Sequence, residues 1–349
     1  MYQDRGTEET VAQVCAADPF RGATVVDVVA LHQRSLCYRL RFDDGRSAFV
    51  KRALPTGSGG AVDQEVAVLR QLSGSDLPVP RLLAALGDPR APVLVTEDVT
   101  GSGTLETCRL DAGGTSPAWA RAAARSVAAI HAVPTGSLPG DFPRCDPARR
   151  LVRAWTVVSP REVTRYASGF AEALRLLRGS HLVPLLRATA DEWRPTAVVH
   201  GDIKSDNILC GAAPEAPRPL ALVDWEAGGL GDPRWDVGCL IGDLVFTWLS
   251  GIDLDAGPSL DDWIAAADPP FSAVRTDIAA AVAAYEALVP VVAADRRLWV
   301  RFAAFFLLQR LCSAAIHSQV LPSRSLAYLQ VAGQLLRRPD ECAELLLCP

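Results

Sequence analysis

Asp202, Asn207 and Asp224 are the side chains of this 349-residue sequence whose types and spacing carry the clearest chemistry. They lie in Val198-Val199-His200-Gly201-Asp202-Ile203-Lys204-Ser205-Asp206-Asn207-Ile208-Leu209 and in Leu222-Val223-Asp224-Trp225-Glu226. A phosphoryl group is weakly bonded in its transition state, so its transfer asks a protein for positioning and charge stabilisation more than for covalent chemistry. Three oxygen-bearing side chains meet that need. Asp202 would accept or orient the proton of an acceptor hydroxyl, while Asn207 and Asp224 would hold Mg2+ against nucleotide phosphates as hard oxygen ligands. Each residue alone is an ordinary turn or capping residue. The ordered set, with the Asn five positions after the Asp, has the spacing of a loop built for phosphoryl transfer.

Such a loop needs rigid supports. Val198-Val199 and Ile208-Leu209 read as short apolar strands before and after it, and Leu222-Val223 as another that ends on Asp224. Ala212 to Pro219 is a Pro-rich hairpin between the two strands that carry the metal ligands. Asp232-Pro233 opens a helix, with Pro233 in the first turn where a missing amide does no harm. His200, a lone imidazole beside Asp202, reads as a brace of the loop backbone. The coarse order is strands plus one helix to about residue 99, then a mainly helical remainder.

His200-Gly201-Asp202 with Asn207, followed by Val223-Asp224-Trp225-Glu226, resembles the aminoglycoside phosphotransferase and choline kinase superfamily. The resemblance runs from about residue 23 to about residue 250. It implies an α+β, protein-kinase-like bilobal fold. A small β-rich N-lobe, residues 1–99, would bind nucleotide, and a larger, mainly α-helical C-lobe, residues 100–349, would carry the catalytic loop and the acceptor site. It also implies ATP as donor and Mg2+ as cofactor. Gly201 stands where regulated protein kinases carry Arg, which implies a site that does not wait for activation-loop phosphorylation.

The same resemblance implies a cation on the phosphates and an acid that orients it. Lys51, in the strand-like Ser47-Ala48-Phe49-Val50-Lys51-Arg52, falls at the position of that cation, and the adjacent Arg52 leaves a one-residue shift open. Glu65 lies in a stretch of helical spacing with Val62, Val66, Leu69 and Leu72, from which it would lean toward Lys51. Leu36, Tyr38, Leu40 and Phe42 alternate with Cys37, Arg39 and Arg41 as a half-buried strand does. The preceding turn, His32-Gln33-Arg34-Ser35, lacks glycine; its amides, Arg34 or Ser35 would cap phosphates, or it is a plain polar hairpin. The backbone of Glu97 and Val99, at the implied hinge, would read adenine. His131 is expected in the core or as a helix cap, and Asp236 as a support of the catalytic loop.

The acceptor is less legible. Lys204 stands two residues after Asp202, where protein Ser/Thr kinases place a Lys beside the transferred phosphate, which implies neutralisation of developing charge. The run from Asp224 to Gly238, with Asp243, Phe246 and Trp248, resembles the stand-alone kinases of class V lanthipeptide and thioamitide biosynthesis. This implies Ser or Thr side chains of a ribosomally made precursor peptide as acceptors and a partner lyase that eliminates the phosphate. Trp248, Trp263, Phe271 and Trp299 would then face a leader-peptide groove, although they fit a helical core stripe equally. One alternative is a small-molecule kinase, such as an aminoglycoside or macrolide phosphotransferase. In it Asp253, Asp255, Asp261, Asp262 and Asp268 would line a cationic-acceptor pocket, or would be solvated loop and capping residues. A pseudokinase scaffold is the other, opposed by the presence of Lys51, Asp202, Asn207 and Asp224 together.

Composition narrows the rest. Hydrophobic content of 49% allows a large core, and a formal net charge of -5 offers no basic field for nucleic acid. Nine cysteines without a Cys-x-x-Cys pair argue against a disulfide framework or structural zinc, so a reducing, cytoplasmic setting is expected. Met1-Tyr2-Gln3-Asp4-Arg5 does not read as a secretory signal, and the apolar runs Leu240 to Leu249 and Phe302 to Leu308 are too short to cross a membrane.

Overall fold

Alternation along two strands decides which side chains reach the site. In the computed structural model the described residues are 5–32, 36–53, 59–74, 76–87, 92–99, 103–157, 166–216, 219–257 and 259–348. The N-lobe runs α1 (Arg5–Ala16), β1 (Val25–His32), β2 (Leu36–Phe42), β3 (Ser47–Arg52), α2 (Gly59–Leu72), β4 (Leu82–Leu86) and β5 (Val93–Glu97). The strands form one antiparallel sheet in the order β1-β2-β3-β5-β4. Tyr38, Leu40 and Phe42 of β2, Ala48 and Val50 of β3, and Val93 and Val95 of β5 are buried with Val14 and Phe20. Successive strand residues point to opposite faces, so Lys51 looks away from that cluster. Arg52 returns to it, donating to the Gly6 carbonyl at 2.8 Å and the Thr10 hydroxyl at 3.2 Å, both in α1. The one-residue ambiguity between Lys51 and Arg52 is thereby resolved in favour of Lys51 facing the lobe interface. The N-lobe contains two helices where the sequence pattern suggested one; α1 was hidden because its inward face includes the buried Thr7 and Thr10 beside Val14.

The C-lobe begins with α3 (Leu105–Asp111) and α4 (Pro117–His131). Two short antiparallel ladders carry the site. β6 (Ala197–Val199) pairs with β9 (Gly229–Gly231), and β7 (Ile208–Cys210) pairs with β8 (Leu220–Leu222) across the Pro-rich connection. Helices Pro233–Ser250 and Ala293–Ala315 pack together at the centre, burying Trp235, Trp299, Phe302 and Phe305. Gly238 and Gly242 permit the close approach: a Cβ on Gly238 would lie 2.8 Å from the Trp299 carbonyl oxygen, and one on Gly242 2.7 Å from Phe306 Cβ. Helix Ala293–Ala315 is long and apolar enough to span a membrane, yet 72% of its apolar window is buried inside the protein, as befits a core helix.

Candidate active site

Between the lobes lies a cleft with apolar walls from Leu31, Phe49, Leu94, Leu209 and Val223 and a polar end formed by Lys51, Glu65, Asn207 and Asp224. Glu97 and Val99 also line it. The Glu97 carboxylate is occupied, accepting from the Arg81 amide at 2.9 Å and Arg81 Nε at 2.8 Å. Ser35, with Gln33 and Arg34, lies outside the described residues.

Lys51 is the hub of the polar end. Its Nζ lies 2.9 Å from Glu65 Oε2, 2.5 Å from Asp224 Oδ1 and 3.0 Å from Glu226 Oε2. Burial alone would lower the Lys51 pKa; the three carboxylates more than offset it and hold the ammonium charged, above its ordinary value. Glu65 is pushed above the usual carboxylate range by burial, which the Lys51 charge opposes only in part. Burial also acts upward on Asp224, but Lys51, through charge and a hydrogen bond, leaves it below its ordinary value. Glu65 has a second task. Its Oε1 accepts the Trp225 amide at 3.0 Å, tying α2 to the turn that carries Asp224. Asp224 itself has left-handed backbone, φ 67° and ψ 60°, a conformation that for a non-glycine residue stores strain and clusters at functional positions.

Across the cleft, the loop from His200 to Asn207 is pinned from behind. Asp236, on helix Pro233–Ser250, accepts the His200 amide at 2.7 Å and the Gly201 amide at 2.9 Å. His131 Nε2 lies 3.2 Å from the same carboxylate, with its Nδ1 2.8 Å from the Tyr285 hydroxyl, so the α4 histidine belongs to the support of Asp236. His200 donates from Nε2 to the Val223 carbonyl at 2.8 Å and accepts the Asp202 amide at Nδ1 at 3.3 Å, which makes it the expected brace. Asn207 donates from Nδ2 to the Asp202 carbonyl at 2.9 Å and to Asp202 Oδ2 at 3.2 Å. Lys204 Nζ lies 2.5 Å from Asp202 Oδ2. The structure thus gathers Lys51, Glu65 and Asp224 at one point and Asp202, Lys204 and Asn207 at another, joined by His200 and Val223.

The contacts of two residues that the motifs contain escaped the sequence reading. Glu226 reaches Lys51 from two residues beyond Asp224, a spacing with no signal of its own. Asp243 accepts the Ser205 amide at 3.2 Å and also the Ser205 hydroxyl; its position seven residues after Asp236, hence on the same helix face, was the available clue. The proposed acceptor features fare differently. Trp299 is buried, and Trp248, Trp263 and Phe271 lie half-buried against the core. Asp253 accepts the Asp255 amide, and Asp262 forms a capping box with Ser259. Asp268 borders a separate cavity beside Ser205 and Asp206, and the Asp261 side chain lies outside the described residues.

Residues 32–268 match the model of the phosphotransferase enzyme family. The chain belongs to that family. Over 226 residues the chain is 28% identical to acyl-CoA dehydrogenase family member 10 of Mus musculus, a match that covers 57% of this chain and 20% of the mouse protein. Over 203 residues it is 29% identical to streptomycin 3''-kinase of Streptomyces griseus, covering 57% of this chain and 71% of that one. The chain therefore spans only a fifth of the first relative. Among solved structures, the GDP and kanamycin complex of APH(2")-IIia superposes with a TM-score of 0.56 at 13% identity, covering 96% of this chain and 99% of that one. That likeness bears out the bilobal kinase-like fold.

Proposed function

We propose that this phosphotransferase moves the γ-phosphate of ATP, with Mg2+, onto a hydroxyl of a small molecule. Residues 1–99 would serve as the nucleotide-binding lobe and residues 100–349 as the catalytic and acceptor-binding lobe. The observation that carries the reading is that Lys51, 2.5 Å from Asp224, and Asn207, 3.2 Å from Asp202, line the same end of one interlobe cleft.

In this reading Lys51 binds the nucleotide phosphates, Glu65 orients Lys51, and the backbone of Glu97 and Val99 holds the base. Asn207 commits its amide nitrogen to Asp202 and keeps its carbonyl oxygen for a cation; Asp224 commits Oδ1 to Lys51 and keeps Oδ2. Two protein oxygens suit Mg2+, which retains water and phosphate oxygens as its other ligands. When bound, Mg2+ neutralises phosphate charge. Asp202 orients the acceptor hydroxyl and takes its proton, and Lys204 stabilises charge on the phosphoryl oxygens. Nine cysteines with no disulfide among them favour a reducing, cytoplasmic setting.

Support for a small-molecule acceptor comes from the match to streptomycin 3''-kinase, which covers 71% of that protein. The peptide reading is weaker, because the aromatics that would have walled a leader-peptide groove are packed against the core. Mass spectrometry of reactions with ATP and Mg2+ decides between them. Phosphate mass on streptomycin, kanamycin or another member of an aminoglycoside and macrolide panel is the expected result. Phosphate only on Ser/Thr-rich precursor peptides, or loss of water once a partner lyase is added, would overturn it.

A further inference from the structure

Helix Pro233–Ser250 offers two aspartates to the catalytic loop. Asp236 and Asp243 stand seven residues apart, roughly 10 Å along the axis and on one face. The first takes the amides of His200 and Gly201. The second takes the amide and hydroxyl of Ser205. Ser205 opens the short 3-10 turn Ser205–Asn207, which is closed by the Asn207 amide on the Lys204 carbonyl at 2.9 Å. Asp243 therefore holds the first residue of the turn that delivers Asn207.

Asp243 is in turn gripped from two sides. Arg109, at the end of α3 and 2% exposed, places one guanidinium nitrogen 3.4 Å from the Ser205 hydroxyl and 3.9 Å from Asp243. Arg310, on helix Ala293–Ala315, lies 3.7 Å from Asp243 and 3.9 Å from Asp206, stacked over Phe246 and Phe306. Both arginines keep buried nitrogens without a partner: Nε and one terminal nitrogen of Arg109, and Nε of Arg310. Such an incompletely satisfied buried ion cluster is a poor source of net stability. What it supplies is geometry.

We propose that Asp243, held by Arg109 and Arg310, is a positioning residue for phosphoryl transfer: it fixes the Ser205 end of the catalytic loop as Asp236 fixes the His200 end, and so sets where Asn207 stands relative to Asp202. The proposal rests on the roles given to Asp202 and Asn207 above. A loop clamped at one end only keeps its fold and loses the register between base and metal ligand.

The test compares wild type with Asp243→Asn, which loses the charge, and Ser205→Ala, which loses the hydroxyl and keeps the amide contact. Turnover is measured with the acceptor found in the panel, or with water as acceptor through ATP hydrolysis, across a Mg2+ titration; circular dichroism verifies folding. Asp243→Asn is expected to lower kcat at least tenfold and to raise the Mg2+ concentration for half-maximal rate severalfold, with acceptor KM within twofold. Ser205→Ala shifts the same two quantities in the same direction and less. If Asp243→Asn does not fold, Ser205→Ala decides alone. A wild type that transfers phosphate, with folded variants equal to it within twofold in kcat and in Mg2+ dependence, overturns the proposal. A wild type that neither binds Mg-ATP nor transfers phosphate overturns the underlying reading as well.

Discussion

Lys51 Nζ and Glu65 Oε2 form an ion pair at 2.9 Å in which each side chain is only 5% exposed. It joins β3 to α2 at the back of the cleft. Removing one member of a buried pair leaves the other charged group without compensation, at a cost of roughly 3 kcal/mol or more. Lys51→Met should therefore lower unfolding stability by about that amount in urea, as well as reducing turnover by about 100-fold or more through lost phosphate stabilisation. An unaltered urea midpoint would mean that Glu65 takes up a proton or finds another partner without difficulty.

The role proposed for Asp202 separates binding from chemistry. The residue accepts from Lys204 and Asn207. Asp202→Asn keeps the shape and removes the proposed base, so kcat should fall about 100- to 10,000-fold with ATP affinity nearly unchanged by calorimetry. Undiminished turnover would exclude Asp202 from proton transfer.

Gly201 has φ +81°, and a Cβ there would lie 2.5 Å from the Ala227 carbonyl oxygen and 2.8 Å from Cys145 Sγ. Gly45 has nearly the same φ, +83°, with nothing within 4 Å. Gly201→Ala should destabilise the protein by more than the roughly 1–2 kcal/mol of a left-handed alanine, because the carbonyl it strikes is backbone. Gly45→Ala should show only that backbone cost. Equal melting shifts for the two variants would contradict the steric argument.

These contrasts show what could be read from the chain beforehand. Asp202, Asn207 and Asp224 stood out as a set because the roles proposed for them impose residue type and spacing together, and the bilobal order because strand and helix periodicities differ. Lys51 was legible only to within one residue; the sheet face decided it, by sending Arg52 to α1. The contact of Asp243 with Ser205, almost forty residues away, left only its seven-residue spacing from Asp236 as a clue, and that of Arg109 with Ser205, 96 residues away, left none. The aromatic stripe was ambiguous for a related reason: helical spacing marks a stripe, and only packing shows how far it turns to the core.

His200 gives the most specific prediction about protons. The Val223 carbonyl can only accept, so the imidazole Nε2 at 2.8 Å must carry the hydrogen. The Asp202 amide can only donate, so Nδ1 at 3.3 Å must lack one. With both nitrogens committed, the ring bridges the residue before Asp224 to the backbone of Asp202, and its place against Trp225, ring centroids 4.6 Å apart, fixes its plane. Nitrogen NMR of the labelled protein should therefore show the neutral Nε2–H tautomer. His200→Phe keeps the ring packing and loses both bonds, leaving the Asp202 amide and Val223 carbonyl short of partners at about 1–3 kcal/mol each if water cannot reach them. His200→Gln can still donate to Val223, so it should retain more stability and more turnover than His200→Phe. The reverse order, or an Nδ1–H tautomer, would show that the imidazole does not bridge Val223 and Asp202 in this way.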